Sequence, residues 1–454
     1  MKKTYRYSQI ALAVLFTALT LLTTSCIDKD INNSPNAINE EAVKSVEGVY
    51  GLTIALQVAT ADFYSGDRSR VASIWTWQMG APPGLGRSQP VNWNVYRMEE
   101  DGPTNDMWLI AYRGVRIAND IIKFTPEVVF SATPEDNTRI RNTLLGMART
   151  YKALILGEMA AFYGSIPINI NGLEPPQFVS QTEAYAEVQR LLDEALVNFA
   201  DPGPVDRDLN FGGDKDKWLA AVHSLKARYF LHLKNYASAA SEASQGIADA
   251  SGTLFGIYGE GASEYSPWGH WTLTEVGEPI RGERYFVNLL KANPNDSRLG
   301  EYFTSNDNGQ YWGFAVRNQE TADSNELNTL KTVSLKKYGA YGDNFPLISW
   351  QENQFILAEA KARTGAGGLE ELNSVITQFG LPASTATGQD LINEILLQKY
   401  LTLFLEGQSY HDMRRTGTLP SPNIPLRWTY PVAETNANPN VPEDNDELVR
   451  AILP

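Results

Sequence analysis

SLKARYFLHLKNYASAASEASQG, residues 224–246, holds two short helical patterns that meet at a tight joint, Lys234-Asn235. Ala227, Ala239 and Gly246 place small residues where paired helices must approach closely. Phe230 and Tyr236 are the bulky residues that fill the space beside them. Such a pair leaves each helix with an uncovered apolar stripe, so it needs further helices as neighbours.

Those neighbours are legible outward in both directions. The pair is tetratricopeptide-like, and RTYKALILGEMAAFYG (149–164) and QFILAEAKARTG (354–365) show the same small-residue pattern. Trp108, Tyr112, Val115, Asn119 and Ile122 recur at helical spacing. Residues 138–163 form an amphipathic run closed by Gly164 and Pro167. Residues 182–200 form another, with Thr182 as N-cap and Asp201-Pro202-Gly203-Pro204 as terminator. Helices are also expected over 215–250, 350–364, 369–379 and 388–407. Three blocks lack helical periodicity: 62–104, 252–349 and 416–454. Two of them far exceed the usual loop of about 4–6 residues. The reading is a mainly α fold, a tetratricopeptide-like helical-pair scaffold with long irregular loop insertions.

Composition narrows the function. The chain has 454 residues, a formal net charge of −15 and one Cys. The acidity argues against phosphate-backbone binding, so no nucleic acid is expected as partner. One Cys excludes a disulfide framework or a Cys-based metal cluster within the chain. Residues 1–25 read as a leader: Lys2, Lys3 and Arg6 precede a largely apolar run, Ile10 to Leu22, too short to span a bilayer. The run ends at LLTTSC, so Cys26 is the expected lipidation site, with Thr23 three residues before it. Residues 26–39 are polar and Asn-rich, and composition predicts a flexible lipid-anchored tether. Residues 40–454 are expected to form one domain.

Catalytic signals are thin. His411 and Asp412 adjoin, but neighbours on a helix point in different directions. His223 and His232 lie on the helical pair, and Glu99, Glu100 and Asp101 form an acidic run of the kind solvent usually covers. No nucleophile motif is present, so the chain reads as a non-enzyme. No cofactor is implied. The weak exception is calcium at Asn306, Asp307 and Asn308 before Gly309, a cluster that more often makes a turn. Aromatics are more informative. Of ten Trp, Trp75, Trp77, Trp93, Trp268, Trp271 and Trp312 lie in two of the irregular blocks and Trp108 just after the first. Loops on a rigid scaffold concentrate binding residues. The expected ligand contacts are Trp75, Trp77, Trp93, Arg70, Trp268, Trp271, Tyr311 and Trp312, with no metal ligand among them. Arg68 and Arg87 lie in the first of these blocks, and Arg281 and Arg284 follow the Trp pair in the second. The competing reading of each Trp is packing beneath its own loop.

Several motifs in order resemble the SusD/RagB outer-membrane lipoproteins of Bacteroidota. They are the Cys with its polar tether, MWLIAYRGVRIANDII (107–122), FYGSIPI (162–168), PLISWQENQFILAEAKARTG (346–365), QKYLTLFLEGQSYHDMRRTG (398–417) and YPVAETNANPNV (430–441). Gln398-Lys399-Tyr400 and Asn373 to Ile376 depart from the starch-type members and look like the second SusD-like subgroup. Asp28 and Asp30 resemble an acidic surface-export signal. The resemblance implies a surface-exposed, lipid-anchored outer-membrane protein. It would capture an oligosaccharide, or in some branches an oligopeptide, as the lid of a SusC-like TonB-dependent barrel transporter. A structural transporter subunit without its own ligand site is the third reading.

Overall fold

The computed structural model describes residues 40–82, 89–98, 102–170, 172, 174–273, 280–317, 319–329, 331–421 and 423–443. Cys26, the leader, the tether, Arg87 and the Glu99 to Asp101 run lie outside the described residues.

After a single helical turn at Glu40–Val43 come α1 (Val46–Ser65), capped by the Ser45 hydroxyl on the Gly48 N–H, and α2 (Asp67–Trp75). Both enter the block from residue 62 that was expected to be irregular. Next come α3 (Pro103–Phe124) and α4 (Pro134–Tyr163), each with Pro in its first turn, where the missing N–H costs nothing. In α3 the fully buried stripe is Trp108, Ala111, Val115, Ala118 and Ile121; Tyr112, Asn119 and Ile122 flank it half-buried. Helix α4 stops at Gly164, whose φ of 77° is a left-handed turn.

Helix α5 (Gln181–Asn198) begins at Ser180, not at Thr182. The Ser180 hydroxyl accepts from Glu183 N–H while the Glu183 carboxylate accepts from Ser180 N–H, a reciprocal capping box. Helices α6 (Lys215–His232) and α7 (Tyr236–Ala243) turn at Lys234, which takes φ 58°, and Asn235 caps α7 through Ser238 N–H. The late block adds α8 (Pro267–Leu273), α9 (Arg284–Lys291), α10 (Trp350–Thr364), α11 (Leu369–Ile376), α12 (Gly388–Thr402) and α13 (Gln408–Thr416). The helix expected to reach residue 407 ends at Thr402. Leu405 (φ 70°) and Gly407 (φ 82°) reverse the chain there.

Packing follows the paired scheme. Helix α1 lies on α3, α3 on α4, α4 on α5, α6 on α7, and α10 on α7, α11 and α12. Ala227, Leu231, Ala239, Ala243, Ile356, Leu357 and Ala360 form a small apolar cluster between α6, α7 and α10. The scaffold is the mainly α, helical-pair fold that the sequence predicts. The described strands are short antiparallel pairs. One joins two sequence-distant blocks: β1 (Met79–Gly80) runs against Arg281–Gly282, here β2, with Met79 opposite Gly282.

Charged residues lie inside the helical core. Glu158 on α4 is fully buried, as is Arg68 on α2. Arg68 Nε donates to Glu158 Oε2 at 2.8 Å, and Gln408 Nε2 to Oε1 at 3.0 Å. His411 Nε2 lies 3.1 Å from the same Oε2. Burial opposes ionisation of Glu158, but Arg68, His411 and Arg228 outweigh it and hold the carboxyl well below the usual range. Burial lowers His411 to about 4, so at neutral pH it is uncharged and must donate from Nε2. Arg228 bridges to Glu352 (2.6 and 2.7 Å) on α10, and Arg415 to Glu359 (2.7 Å to each oxygen).

Breaking a buried ion cluster leaves charge without a partner. Glu158→Gln is expected to cost about 3–5 kcal/mol in urea unfolding. Gly246→Ala would place a methyl 2.4 Å from both Asn353 Oδ1 and Ser224 Oγ. It should cost about 1–3 kcal/mol in the same assay.

Candidate functional site

Helix α2 separates two concave regions. Asp67 and Arg70 stand in its first turn and Trp77 just beyond its last, roughly 10–15 Å away at 1.5 Å per residue.

The region beyond the last turn is built by the β1–β2 pairing. That contact brings the first turn of α9 against the end of α2, with Glu283 N–H donating to Gln78 O. The resulting hollow of about 350 Å3 is lined by Trp77, Glu283, Arg284, Tyr285, Asn288, Leu289 and Arg317. The Trp77 and Tyr285 rings meet edge to face, 5.7 Å apart at 86°. Trp77 is fixed from behind. Its Nε1 donates to the Tyr96 hydroxyl at 2.9 Å, and the Arg317 guanidinium lies over both rings, 5.1 and 5.6 Å from their centres. Arg317 is held in turn by Ile74 O and Asn94 O. Trp77 (φ 63°) and Tyr96 (φ 61°) both adopt the left-handed conformation, which costs on the order of 1–3 kcal/mol per residue and persists where the surroundings enforce it. Tyr285 is 45% exposed. Glu283 caps α9 by accepting from Tyr285 N–H. Burial pushes its carboxyl up to about 7; that hydrogen bond, Arg317 and Arg284 only partly offset this.

The region at the first turn of α2 is a larger cleft of about 710 Å3, walled by α1, α2, α3 and the segment 257–271. Arg70 stacks on Trp271 at 4.6 Å and pairs with Asp67 at 2.6 Å. Tyr265, also on the wall, stacks on Tyr341 at 3.8 Å.

The residues expected at one ligand face therefore separate. Trp77 lines the hollow; Arg70 and Trp271 line the cleft. Trp75, Trp93 and Trp268 are buried in the core and reach neither, which corrects their expected place on a ligand surface. The physical reason is packing: Trp75 is boxed by Tyr96, Tyr410 and Trp428, and Trp268 Nε1 is bound to Ser69 Oγ at 2.9 Å. Tyr311 and Trp312 are half-buried and line neither region; Lys291 lies over Trp312 at 4.6 Å. Tyr285, Glu283 and Arg317 are the residues the sequence reading passed over. The mixed charged and aromatic run RGERYF (281–286), inside an irregular block, was the available signal.

Other candidates resolve into structure. Asp412 pairs with Lys399 (2.9 Å) and Arg415 (2.6 Å), while His411 faces Glu158, so the two form no catalytic pair. His223 faces Glu242 at 2.7 Å. Asn306 Oδ1 accepts from the N–H groups of Asn308 and Gln310 and closes a turn.

Glu283 gives a signed expectation. Its folded pKa of about 7 lies above the usual value near 4.3 for an unfolded Glu. The fold therefore favours its protonated form, a contribution present below about pH 4 and lost as pH rises through about 7. Thermal midpoints of wild type should fall relative to Glu283→Gln across that window.

Comparison with known proteins agrees with this architecture. The sequence matches the SusD-like 2 family, described as starch-binding associating with outer membrane, over residues 87–441. A SusD/RagB family protein from Bacteroides thetaiotaomicron superposes with a TM-score of 0.67 at 20% identity, over 86% of this chain and 94% of that one. A chitin-binding protein gives 0.65 at 18% identity over 86% and 94%, and a laminarin-binding SusD-like protein 0.62 at 16% over 87% and 98%. No curated protein matches. The chain belongs to the SusD-like family of outer-membrane-associated glycan-binding proteins, a family of binding proteins and not of enzymes.

Proposed function

We propose that this SusD-like protein captures an oligosaccharide in the hollow lined by Trp77 and Tyr285. It acts there as the lid of a SusC-like TonB-dependent barrel transporter. One observation carries the site: two rings in edge-to-face contact at 86° line a hollow of about 350 Å3 whose walls also offer Asn288, Arg284 and Glu283. A sugar ring presents C–H faces to aromatic surfaces and hydroxyls to polar groups, so this mixture suits it. Trp77 is already held by Tyr96 and Arg317, so little side-chain entropy remains to be lost on binding. The family description supports the glycan class, as do the relatives named for laminarin and chitin.

The cellular arrangement follows from the sequence. Residues 1–25 direct secretion, acylated Cys26 holds the outer-membrane lipid, residues 26–39 form the tether, and residues 40–454 form one cell-surface domain. None of the described helices is long and apolar enough to cross a membrane.

Calorimetry of the full mature chain with malto-, laminari- and chito-oligosaccharides tests the reading. Tyr285→Ala, and Trp77→Gly, which suits the left-handed backbone, should each weaken binding about tenfold or more, roughly 1.4 kcal/mol, with unchanged far-UV circular dichroism. Equal affinity in both variants would remove the site. Binding of oligopeptides in place of sugars would favour the peptide reading, and binding of neither would favour a structural subunit.

A further inference from the structure

The cleft at the first turn of α2 has a composition unlike that of the hollow. Val58 and Asp62 stand one turn apart on the same face of α1, and Leu109 and Ile110 of α3 share the cleft with them. Val58 is 43% and Leu109 56% exposed, unusual for aliphatic side chains lining a concave surface. Asp62 is half-buried, and its one side-chain hydrogen bond among the described residues comes from Tyr258 at the long distance of 3.5 Å. That hydroxyl has a closer partner in Ser65 Oγ, at 2.6 Å. Asp67 has Arg70; among the described residues Asp62 has no such cation, and burial pushes it up to about 6 against only the weak Tyr258 bond. A partly desolvated carboxylate without a counter-ion is costly, and a ligand cation would relieve the cost. The rings of Tyr258, Tyr265 and Trp271 add π surface that also favours a cation, and the net charge of −15 steers cations toward the protein.

We propose that this cleft is a second binding site, for an alkylammonium group whose charge pairs with Asp62 and whose aliphatic stem lies along Val58 and Leu109. Two sources carry that group, the lysine side chain of a peptide and a free polyamine. Sugars in the hollow and an alkylammonium in the cleft would bind at opposite ends of α2.

The test is calorimetry on the mature wild-type chain at pH 8 and low salt with N-acetyl-lysine amide, its uncharged analogue N-acetyl-norleucine amide, and 1,4-diaminobutane. At least one cation should bind tenfold or more tightly than the norleucine probe. A lysine preference identifies a peptide source and a diamine preference a polyamine. Asp62→Asn should lose tenfold or more in affinity while its thermal midpoint stays equal or rises, because a half-buried charge without a partner has been removed. Lowering the pH from 8 to 5 should weaken binding as Asp62 protonates. Asp67 and Arg70 on α2, Asp106 and Arg113 on α3, and Glu264 and His270 on the facing segment also line the cleft. A pH response that survives in Asp62→Asn would belong to them and would count against Asp62 as the counter-ion. Equal binding of lysine and norleucine probes, no binding of either cation, or unchanged affinity in Asp62→Asn overturns the proposal. Asp62→Asn should keep wild-type oligosaccharide affinity, so failure at one site is distinguishable from failure at the other.

Discussion

Glu158 sits where four helices converge, and its carboxylate is the point through which their positions are tied together. Arg68 reaches it from α2, Arg228 from α6, and Gln408 and His411 from α13, all within 4 Å. Arg228 and Arg415 extend the charge pattern to Glu352 and Glu359 on α10. A buried cluster of this kind adds little net stability over an apolar core, but it tolerates few arrangements, since a shift of any helix leaves an ion without its partner. Gly407 shows how tight the fit is. A Cβ there would lie 3.0 Å from the Arg68 guanidinium, and the backbone takes φ 82°.

The same cluster fixes α2, the helix on which both concave regions depend. All of its residues after Asp67 are buried, two arginines included. Arg68 turns inward to Glu158, while Arg70 turns to Asp67 and Trp271. Past the end of the helix, Trp77 is locked by Tyr96 and Arg317, and the β1–β2 contact carries Tyr285 to it. The helical pairs are thus a frame, and the irregular insertions supply the surfaces laid against it.

Much of the frame was legible because its local chemistry is consistent. Lys234-Asn235 is a left-handed residue followed by an N-cap; Ala227 and Ala239 share one apolar cluster, and Gly246 lies tight against Ser224 and Asn353. The segments at α1 and α2 were not. In α1 the apolar residues surround the helix with little periodicity, and in α2 buried arginines invert the expected pattern. Ser180 with Glu183 was a readable capping box that a single threonine obscured. At the candidate site, aromatic composition could not separate a wall residue such as Trp77 from core residues such as Trp75 and Trp268. Arg317 and Tyr285 meet Trp77 only through pairing of segments some 200 residues apart, which no local pattern encodes.

The two walls of the hollow differ in how freely they can change. Trp77 is bound into the fold by a left-handed backbone, a hydrogen bond to Tyr96 and a stacked guanidinium, each anchored elsewhere. Tyr285 and Asn288 project from the surface of a short helix whose buried side is Phe286, Val287 and Leu290. Replacements on that outer face leave the frame untouched, whereas replacements at Trp77 disturb several partners at once. Sequence change on one face of α9 can therefore alter the chemistry of the hollow while the adjoining Trp77 wall stays fixed by its partners.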